Sequence, residues 1–189
     1  KSATLCAMKR LNTIIYIIAA LALTGCSTTP ATAPQLSAQA YLQMAAQQSG
    51  TQRQQLELMA ASRYLDANNT IKAQSILSDL AHSALSPELF TSHQLLQATI
   101  YINRHQSQSA LRLLTALNTS QNTTTPEQRK QQLELLAKAY QQNNNLVASI
   151  QARTQLLNQD SSADRKNTLT AIWLSLQTVP ASTIETLND

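Results

Sequence analysis

Apolar residues recur every three or four positions from about residue 37 to the end of the chain, in blocks interrupted by short polar turns. That period places apolar side chains along one face of an α-helix. Polar turns at 66–70, 104–107 and 141–145 divide the blocks into pairs. The pattern predicts an all-α domain of about eight or nine helices, each roughly 12 to 20 residues long.

Several of the breaks between blocks carry helix-start signals. Thr125 is followed by Pro126 and, three residues after the cap, by Gln128, which together form a capping box with proline at the first helical position. Ser86 and Pro87 repeat the cap and the proline. Two further capping boxes are predicted at Ser161 with Asp164 and at Ser182 with Glu185.

An internal repeat runs through the helical region. Six positions keep their residue type 37 residues later: Leu58, Ala61, Tyr64, Ala73, Leu77 and Leu80 become Leu95, Ala98, Tyr101, Ala110, Leu114 and Leu117. A weaker third copy, 39 residues further on, has Ala137, Tyr140 and Leu156, with Ser149 at the second alanine position and Arg153 at a leucine position. The alanines allow two helices to approach closely, and we expect the tyrosine to fill the space beside them.

This repeat is similar to the tetratricopeptide repeat, with a small residue, an aromatic three positions later, and then an alanine and two large apolar residues at the expected offsets. It lacks the early tryptophan and the in-register terminal proline, and its period is slightly long. The resemblance implies a tetratricopeptide-like array of helical hairpins, a right-handed solenoid with a concave binding face. A generic helical bundle is the alternative.

The first 25 residues have the layout of a secretory leader. The positive Met8-Lys9-Arg10 segment precedes ten apolar residues at 14–23. A membrane-spanning helix needs about 20 apolar residues, so this run is too short to cross a bilayer. Residues 1–7, which include Cys6, are interpreted as upstream sequence before the start methionine.

A lipid-attachment motif follows the apolar run. Leu23, Thr24, Gly25 and Cys26 resemble the bacterial lipobox. The resemblance implies signal-peptidase recognition at the first three residues, cleavage before Cys26 and lipid attachment to its sulfur; an ordinary cleavable leader is the alternative. Several acyl chains would give stable anchoring. Ser27, where lipoproteins retained in the inner membrane carry aspartate, favours the periplasmic side of the outer membrane.

These signals divide the chain into three parts. We predict upstream residues and a removed signal peptide at 1–25, a lipidated flexible tether at 26–36, and a helical domain at 37–189 that is the amino-terminal part of a longer protein. Gly50 is the only glycine after the leader, which argues against glycine-rich phosphate loops. The only cysteine after the leader is the one predicted to be lipidated, so no disulfide is expected.

The basic character of the chain belongs mostly to its leader. The whole sequence has 14 Lys and Arg against 10 Asp and Glu, and Lys1, Lys9 and Arg10 lie in the leader, which contains no acidic residue. The remainder has a formal charge of +1. A nucleic-acid partner, which a high isoelectric point would suggest, is therefore not expected.

No set of side chains has the spacing of a catalytic or metal-binding motif. We expect surface or helix-capping roles for His82, His93 and His105, the first and last of them near helix ends. Four glutamates are predicted to be solvated residues on polar faces: Glu57, Glu88, Glu127 and Glu134. The sequence thus predicts neither an enzyme nor a metal or cofactor site.

The only tryptophan, Trp173, lies in a predicted helix in which Leu169, Ile172 and Leu176 share one face. We expect Trp173 to pack against the preceding helix pair. The alternative is an exposed anchor for a partner.

The order of these features resembles one family. They are the lipobox, the short tether, the Ala40-Tyr41-Leu42-Gln43 opening of the first helix, the repeats, and the Asn167 to Leu176 segment. This order is similar to the amino-terminal domain of the penicillin-binding protein activators of the LpoA type, or LppC-type outer-membrane lipoproteins.

The resemblance implies an outer-membrane lipoprotein that binds and activates a class A penicillin-binding protein during peptidoglycan synthesis. In that family a carboxy-terminal domain contacts the synthase, and this chain has no corresponding α/β segment. Contact of the present domain with peptidoglycan is compatible with its position. Two alternatives stay open: a scaffold for assembly of outer-membrane proteins or pili, and a peptidoglycan enzyme on a helical scaffold, for which no carboxylate pair or nucleophile is found.

Overall fold

The computed structural model describes residues 36–81, 83–119, 124–158 and 162–178. Within these ranges the chain forms eight α-helices and no strand, which confirms the predicted all-α fold and the predicted number of helices. The helices are α1 (Ala38–Ala45), α2 (Gly50–Asp66), α3 (Thr70–Leu80), α4 (Pro87–Asn103), α5 (Ser107–Thr119), α6 (Pro126–Gln142), α7 (Leu146–Leu157) and α8 (Ser162–Gln177).

Side-chain caps fix where several helices begin. The predicted capping box is confirmed at α6: the Thr125 hydroxyl accepts a hydrogen bond from the Gln128 N–H, and the Gln128 side chain accepts one from the Thr125 N–H. Ser86 caps α4 ahead of Pro87 with a single bond, in which its hydroxyl accepts from the Leu89 N–H. The predicted caps Ser161 and Ser182 lie outside the described residues.

The helices after α1 form successive hairpins. We call α2, α4, α6 and α8 the first helices, and α3, α5 and α7 the second helices. Each second helix begins twenty residues after its first helix: Thr70 after Gly50, Ser107 after Pro87, and Leu146 after Pro126. The predicted turns at 66–70, 104–107 and 141–145 contain the three hairpin connections.

The three hairpin turns share one backbone conformation. The second residue after each first helix, which is Asn68, His105 or Asn144, has a φ of 56°, 57° or 58°. The next residue donates its N–H to the carbonyl of the repeat tyrosine, at 2.7, 2.8 and 2.9 Å along the chain. This arrangement is a Schellman motif, in which one left-handed residue ends a helix.

Neighbouring hairpins pack along the chain. Each first helix from α2 to α6 contacts its own second helix, and α4 and α6 also contact both helices of the preceding hairpin. Helix α8 packs on α7, and Lys130 Nζ in α6 lies 2.8 Å from Asp164 Oδ2 in α8. All eight helices belong to the unit Leu36–Asp189. The described chain is therefore a linear array of helical hairpins.

Candidate interaction surface

The repeat residues form the contact between the two helices of each hairpin. Ala61 and Ala73 are fully buried where α2 meets α3, and Ala98 and Ala110 are fully buried where α4 meets α5. Alanine has no side chain beyond Cβ, so these helices approach closely. The tyrosines beside them are half-buried, and Lys72 Nζ lies 5.2 Å from the ring centroid of Tyr64.

The large repeat residues lie in two hydrophobic clusters. The first cluster contains Leu58, Leu77 and Leu80, and Tyr64 packs against it. The second contains Leu95, Leu114, Leu117, Ala137 and Leu156, and Tyr101 and Tyr140 pack against it. The positions singled out by the sequence repeat are therefore brought together within and between hairpins.

The third hairpin replaces apolar packing with polar contacts. Ser149, at the second alanine position, is fully buried and donates its hydroxyl to the carbonyl of Ala137 at 2.8 Å. Arg153, at a leucine position, is half-buried and donates from Nη2 to the side-chain oxygen of Gln141 at 3.0 Å. Both bonds join α6 to α7. The third hairpin therefore forms although these two positions differ from the repeat.

Recurring side-chain hydrogen bonds also join each hairpin to the next. His93 Nε2 in α4 lies 2.8 Å from the carbonyl oxygen of Leu77 in α3. Gln132 Nε2 in α6 donates to the carbonyl of Leu114 in α5 at 2.7 Å. The donors are 39 residues apart and the acceptors 37, which are the repeat spacings.

The expected surface or capping role of His93 is wrong. The side chain is 6% exposed because it lies between α3 and α4. A carbonyl oxygen can only accept, so Nε2 carries a proton and is the donor in this bond. His105 does lie immediately after the end of α4, and His82 is outside the described residues.

The expected core position of Trp173 is also wrong. Its side chain is 63% exposed on α8, and its neighbours on that face, Leu169 and Leu176, are exposed as well. Among the residues of α8 whose burial is described, Thr168 and Ser175 are buried, and the helix packs on α7. The apolar positions in this helix identified a real face, but the described chain places nothing over it.

A groove rich in glutamine and methionine lies at the amino-terminal end of the array. We name it the Gln–Met groove; it has a volume of about 500 Å³ and lies between α1 and α2, lined by Met44, Gln47, Gln48, Gln52, Gln55, Leu56 and Met59. An adjoining depression of about 240 Å³ shares Gln55 and Met59 and continues to Ser62, Glu88, Ser92 and Gln131. Among the described residues that line the two, Glu88 is the one with an ionisable side chain.

This surface is suited to binding. A glutamine carboxamide both donates and accepts hydrogen bonds, and methionine adapts its shape to different apolar groups. Sequence reasoning did not single out the groove, although glutamines at 48, 52 and 55 recur at roughly helical spacing.

The four glutamates considered in the sequence lie on three helices of the described chain, α2, α4 and α6. Glu57 accepts a hydrogen bond from Arg53 Nε at 2.8 Å, and this carboxylate raises the pKa of the Arg53 guanidinium. Glu88 and Glu127 are exposed in the first turns of α4 and α6, and Glu134 is half-buried. Among the described residues, no three His, Cys, Asp or Glu side chains come together as a group that could hold a metal ion.

The predicted lipid-attachment motif, Leu23 to Cys26, lies outside the described residues. Within the described ranges, no helix is both long and apolar enough to cross a membrane.

Comparison with solved structures defines the class of fold. The chain is similar to the amino-terminal domain of LpoA from Haemophilus influenzae, with a TM-score of 0.64 and 20% identity over 80% of this chain and 69% of that domain. It is also similar to full-length LpoA from the same organism, with a TM-score of 0.65 and 19% identity over 80% of this chain and 28% of that structure. The hairpin array is thus a tetratricopeptide-like helical domain.

The family follows from the sequence. Residues 31–189 match the family described as "LppC putative lipoprotein", and the chain belongs to that family. A curated relative from Vibrio cholerae serotype O1, named penicillin-binding protein activator LpoA, is 29% identical over 177 residues. That match covers 89% of this chain but 29% of the relative, so the chain spans less than a third of the relative's length.

Proposed function

We propose that this protein is a lipoprotein of the outer membrane, on its periplasmic side, that binds and activates a class A penicillin-binding protein during peptidoglycan synthesis. The observation that carries the proposal is the match of residues 31–189 to a lipoprotein family whose curated relatives are named penicillin-binding protein activators. Cys26 is the lipid attachment site in this proposal. Activation proceeds by binding, without a catalytic step on this chain.

The architecture supports a binding role. The hairpins are joined by buried contacts and by hydrogen bonds between hairpins. These contacts fix the relative positions of the exposed faces of the first helices. An array of this type presents an extended surface to a partner. The family match favours the activator over a scaffold for outer-membrane protein or pilus assembly.

We place the synthase contact in the portion of the longer relatives that this chain does not span. The test adds the complete gene product, or the 189-residue chain alone, to the class A penicillin-binding protein of the same organism, and measures glycan polymerisation and crosslinking. We expect the complete product to raise both rates and the 189-residue chain to leave them unchanged. No stimulation by the complete product contradicts the activator proposal, whereas stimulation by the shorter chain moves the contact into the hairpin array.

We also propose that the hairpin array contacts peptidoglycan, and that the contact lies at the Gln–Met groove. Peptidoglycan is rich in amide groups, which match the carboxamides of Gln52 and Gln55. Cosedimentation with purified sacculi tests it. Gln55→Glu should weaken cosedimentation because stem-peptide carboxylates are repelled, whereas Gln108→Glu, the same change on the exposed surface of α5, should not. If the two variants cosediment with sacculi to the same extent, the groove is not the site of peptidoglycan contact.

A further inference from the structure

Both methionines that follow the leader line the Gln–Met groove. The chain has three methionines, of which Met8 lies in the leader, Met44 on α1 and Met59 on α2. The last two contribute to the wall of one groove, where their side chains are 44% and 39% exposed. Methionine is among the residue types that are most often fully buried. The groove therefore holds two thioethers that solvent reaches.

The next two hairpins have a buried leucine at the repeat position of Met59. These leucines, Leu96 and Leu135, belong to the two hydrophobic clusters. In the described chain, α4 and α6 each pack on a complete preceding hairpin, whereas α2 is preceded by the single helix α1. Met59 therefore remains accessible at a position that is part of the core in the later hairpins.

An accessible thioether reacts with peroxides by oxygen transfer. A lone pair of the methionine sulfur attacks one oxygen of hydrogen peroxide, an S–O bond forms, and the O–O bond breaks. The departing hydroxide takes the proton of the transferred oxygen and leaves as water, so the sulfur is oxidised and the peroxide is reduced. The product, methionine sulfoxide, is polar, and sulfoxide reductases return it to methionine.

We propose that Met44 and Met59 form a paired oxidation site, at which peroxides reversibly convert the apolar part of the Gln–Met groove into a polar surface. Among the described residues that line this groove, Leu56 is the other apolar one, and the rest are glutamines. Two sulfoxides therefore leave the groove with one apolar side chain, and each adds an oxygen that accepts hydrogen bonds. The ability of the thioethers to adapt to apolar groups is lost.

The consequence for binding rests on the proposed contact between this groove and peptidoglycan. The C–H faces of sugar rings are apolar groups that a methionine side chain can contact. Oxidation removes these contacts and leaves the carboxamides of Gln52 and Gln55 in place. Oxidation of the groove therefore weakens the contact with peptidoglycan.

The rate of oxidation tests the site without a partner. The 189-residue chain is treated with hydrogen peroxide, and peptide mass spectrometry measures the gain of one oxygen at each methionine, with N-acetylmethionine as the fully exposed reference. Leu96→Met is the matched control, because it places a thioether in the core at the repeat position of Met59. We expect Met44 and Met59 to react within a few-fold of the reference, and the methionine introduced by Leu96→Met to react many-fold more slowly. In urea this difference should disappear.

The change in polarity has a readout of its own. Anilinonaphthalene sulfonate fluoresces when it binds apolar surface, and its fluorescence is compared before and after treatment with peroxide. The double variant Met44→Leu/Met59→Leu keeps the groove apolar and cannot form a sulfoxide there. We expect treatment to lower both the dye fluorescence and the cosedimentation of the parent with sacculi, and a methionine sulfoxide reductase to restore both. The double variant should change in neither.

Three outcomes overturn the proposal. The first is oxidation of Met44 or Met59 as slow as that of the methionine in Leu96→Met, which means that the thioethers are protected. The second is dye fluorescence of the parent that treatment leaves unchanged, which means that oxidation does not alter the groove. The third is an equal decrease in the parent and the double variant, which places the reaction elsewhere. An untreated parent that does not cosediment with sacculi contradicts the peptidoglycan contact instead, and the oxidation rates and the dye still decide on the oxidation site.

Discussion

His93 in α4 donates its Nε2 proton to the carbonyl oxygen of Leu77 in α3 across 2.8 Å, and Gln132 makes the equivalent bond to Leu114 one repeat later. The Leu77 carbonyl also accepts the helical bond from the Ala81 N–H, so the side chain uses its second lone pair. Two different residue types therefore perform one task, which is to join a first helix to the preceding hairpin.

This equivalence predicts the outcome of two substitutions at His93. Glutamine can make the same bond, so His93→Gln should change the free energy of unfolding by less than about 1 kcal/mol. His93→Ala removes the bond and leaves a cavity between α3 and α4, and should cost about 2–4 kcal/mol. Urea denaturation measures both. If both variants lose the same free energy of unfolding, the hydrogen bond does not contribute to stability at this position.

The sequence repeat predicted which residues meet inside a hairpin but not how hairpins join. Ala61 and Ala73 are identifiable because their spacing recurs with Ala98 and Ala110. His93 and Gln132 occupy equivalent repeat positions but are different residue types. A search for residues that are identical between repeats therefore does not find them. The acceptors are backbone carbonyls, which have no signature in sequence.

Trp173 illustrates a different limit. Helical periodicity correctly places it on an apolar face with Leu169 and Leu176. Whether such a face is covered depends on the elements around it, and the described residues place α7 against a different side of α8. The Gln–Met groove was missed for a related reason, since its walls come from different helices.

The hairpin contact at Ala98 should not tolerate a larger side chain. Ala98 is fully buried against α5, so Ala98→Leu overpacks the interface and should cost about 1–3 kcal/mol. Ala61→Leu should behave alike in the first hairpin. Ala116→Leu, on the exposed side of α5, is the control and should leave the melting temperature nearly unchanged. Unchanged melting of all three would contradict close packing at these alanines.

The turn after α6 should discriminate between residue types at Asn144. Its φ of 58° is accessible to glycine and asparagine but disfavoured for a β-branched residue. Asn144→Val should therefore cost at least about 1–2 kcal/mol, whereas Asn144→Gly should remain close to the parent in chemical denaturation. A valine variant as stable as the parent would mean that this turn adopts another conformation.

The capping box of α6 should contribute measurably to stability. Thr125→Ala removes the side-chain acceptor of the Gln128 N–H and should cost about 0.5–2 kcal/mol. Thr125→Ser keeps the hydroxyl and should restore most of that loss. Thermal melts of the three chains provide the comparison, and an alanine variant that matches the serine variant would exclude a role for the cap.

Substitution of Cys26 should abolish membrane attachment without affecting folding. The thiol is the predicted site of lipid attachment, whereas the eight described helices and both hydrophobic clusters lie between residues 38 and 177. Cys26→Ser should therefore leave the helical circular dichroism and the melting temperature unchanged while it releases the protein from the outer-membrane fraction. A fractionation of cells that express each form measures the release. Cys6→Ser, at the other cysteine of the chain, is the control and should leave the protein in the membrane fraction. If the Cys26→Ser protein still sediments with the outer membrane, attachment does not depend on this thiol.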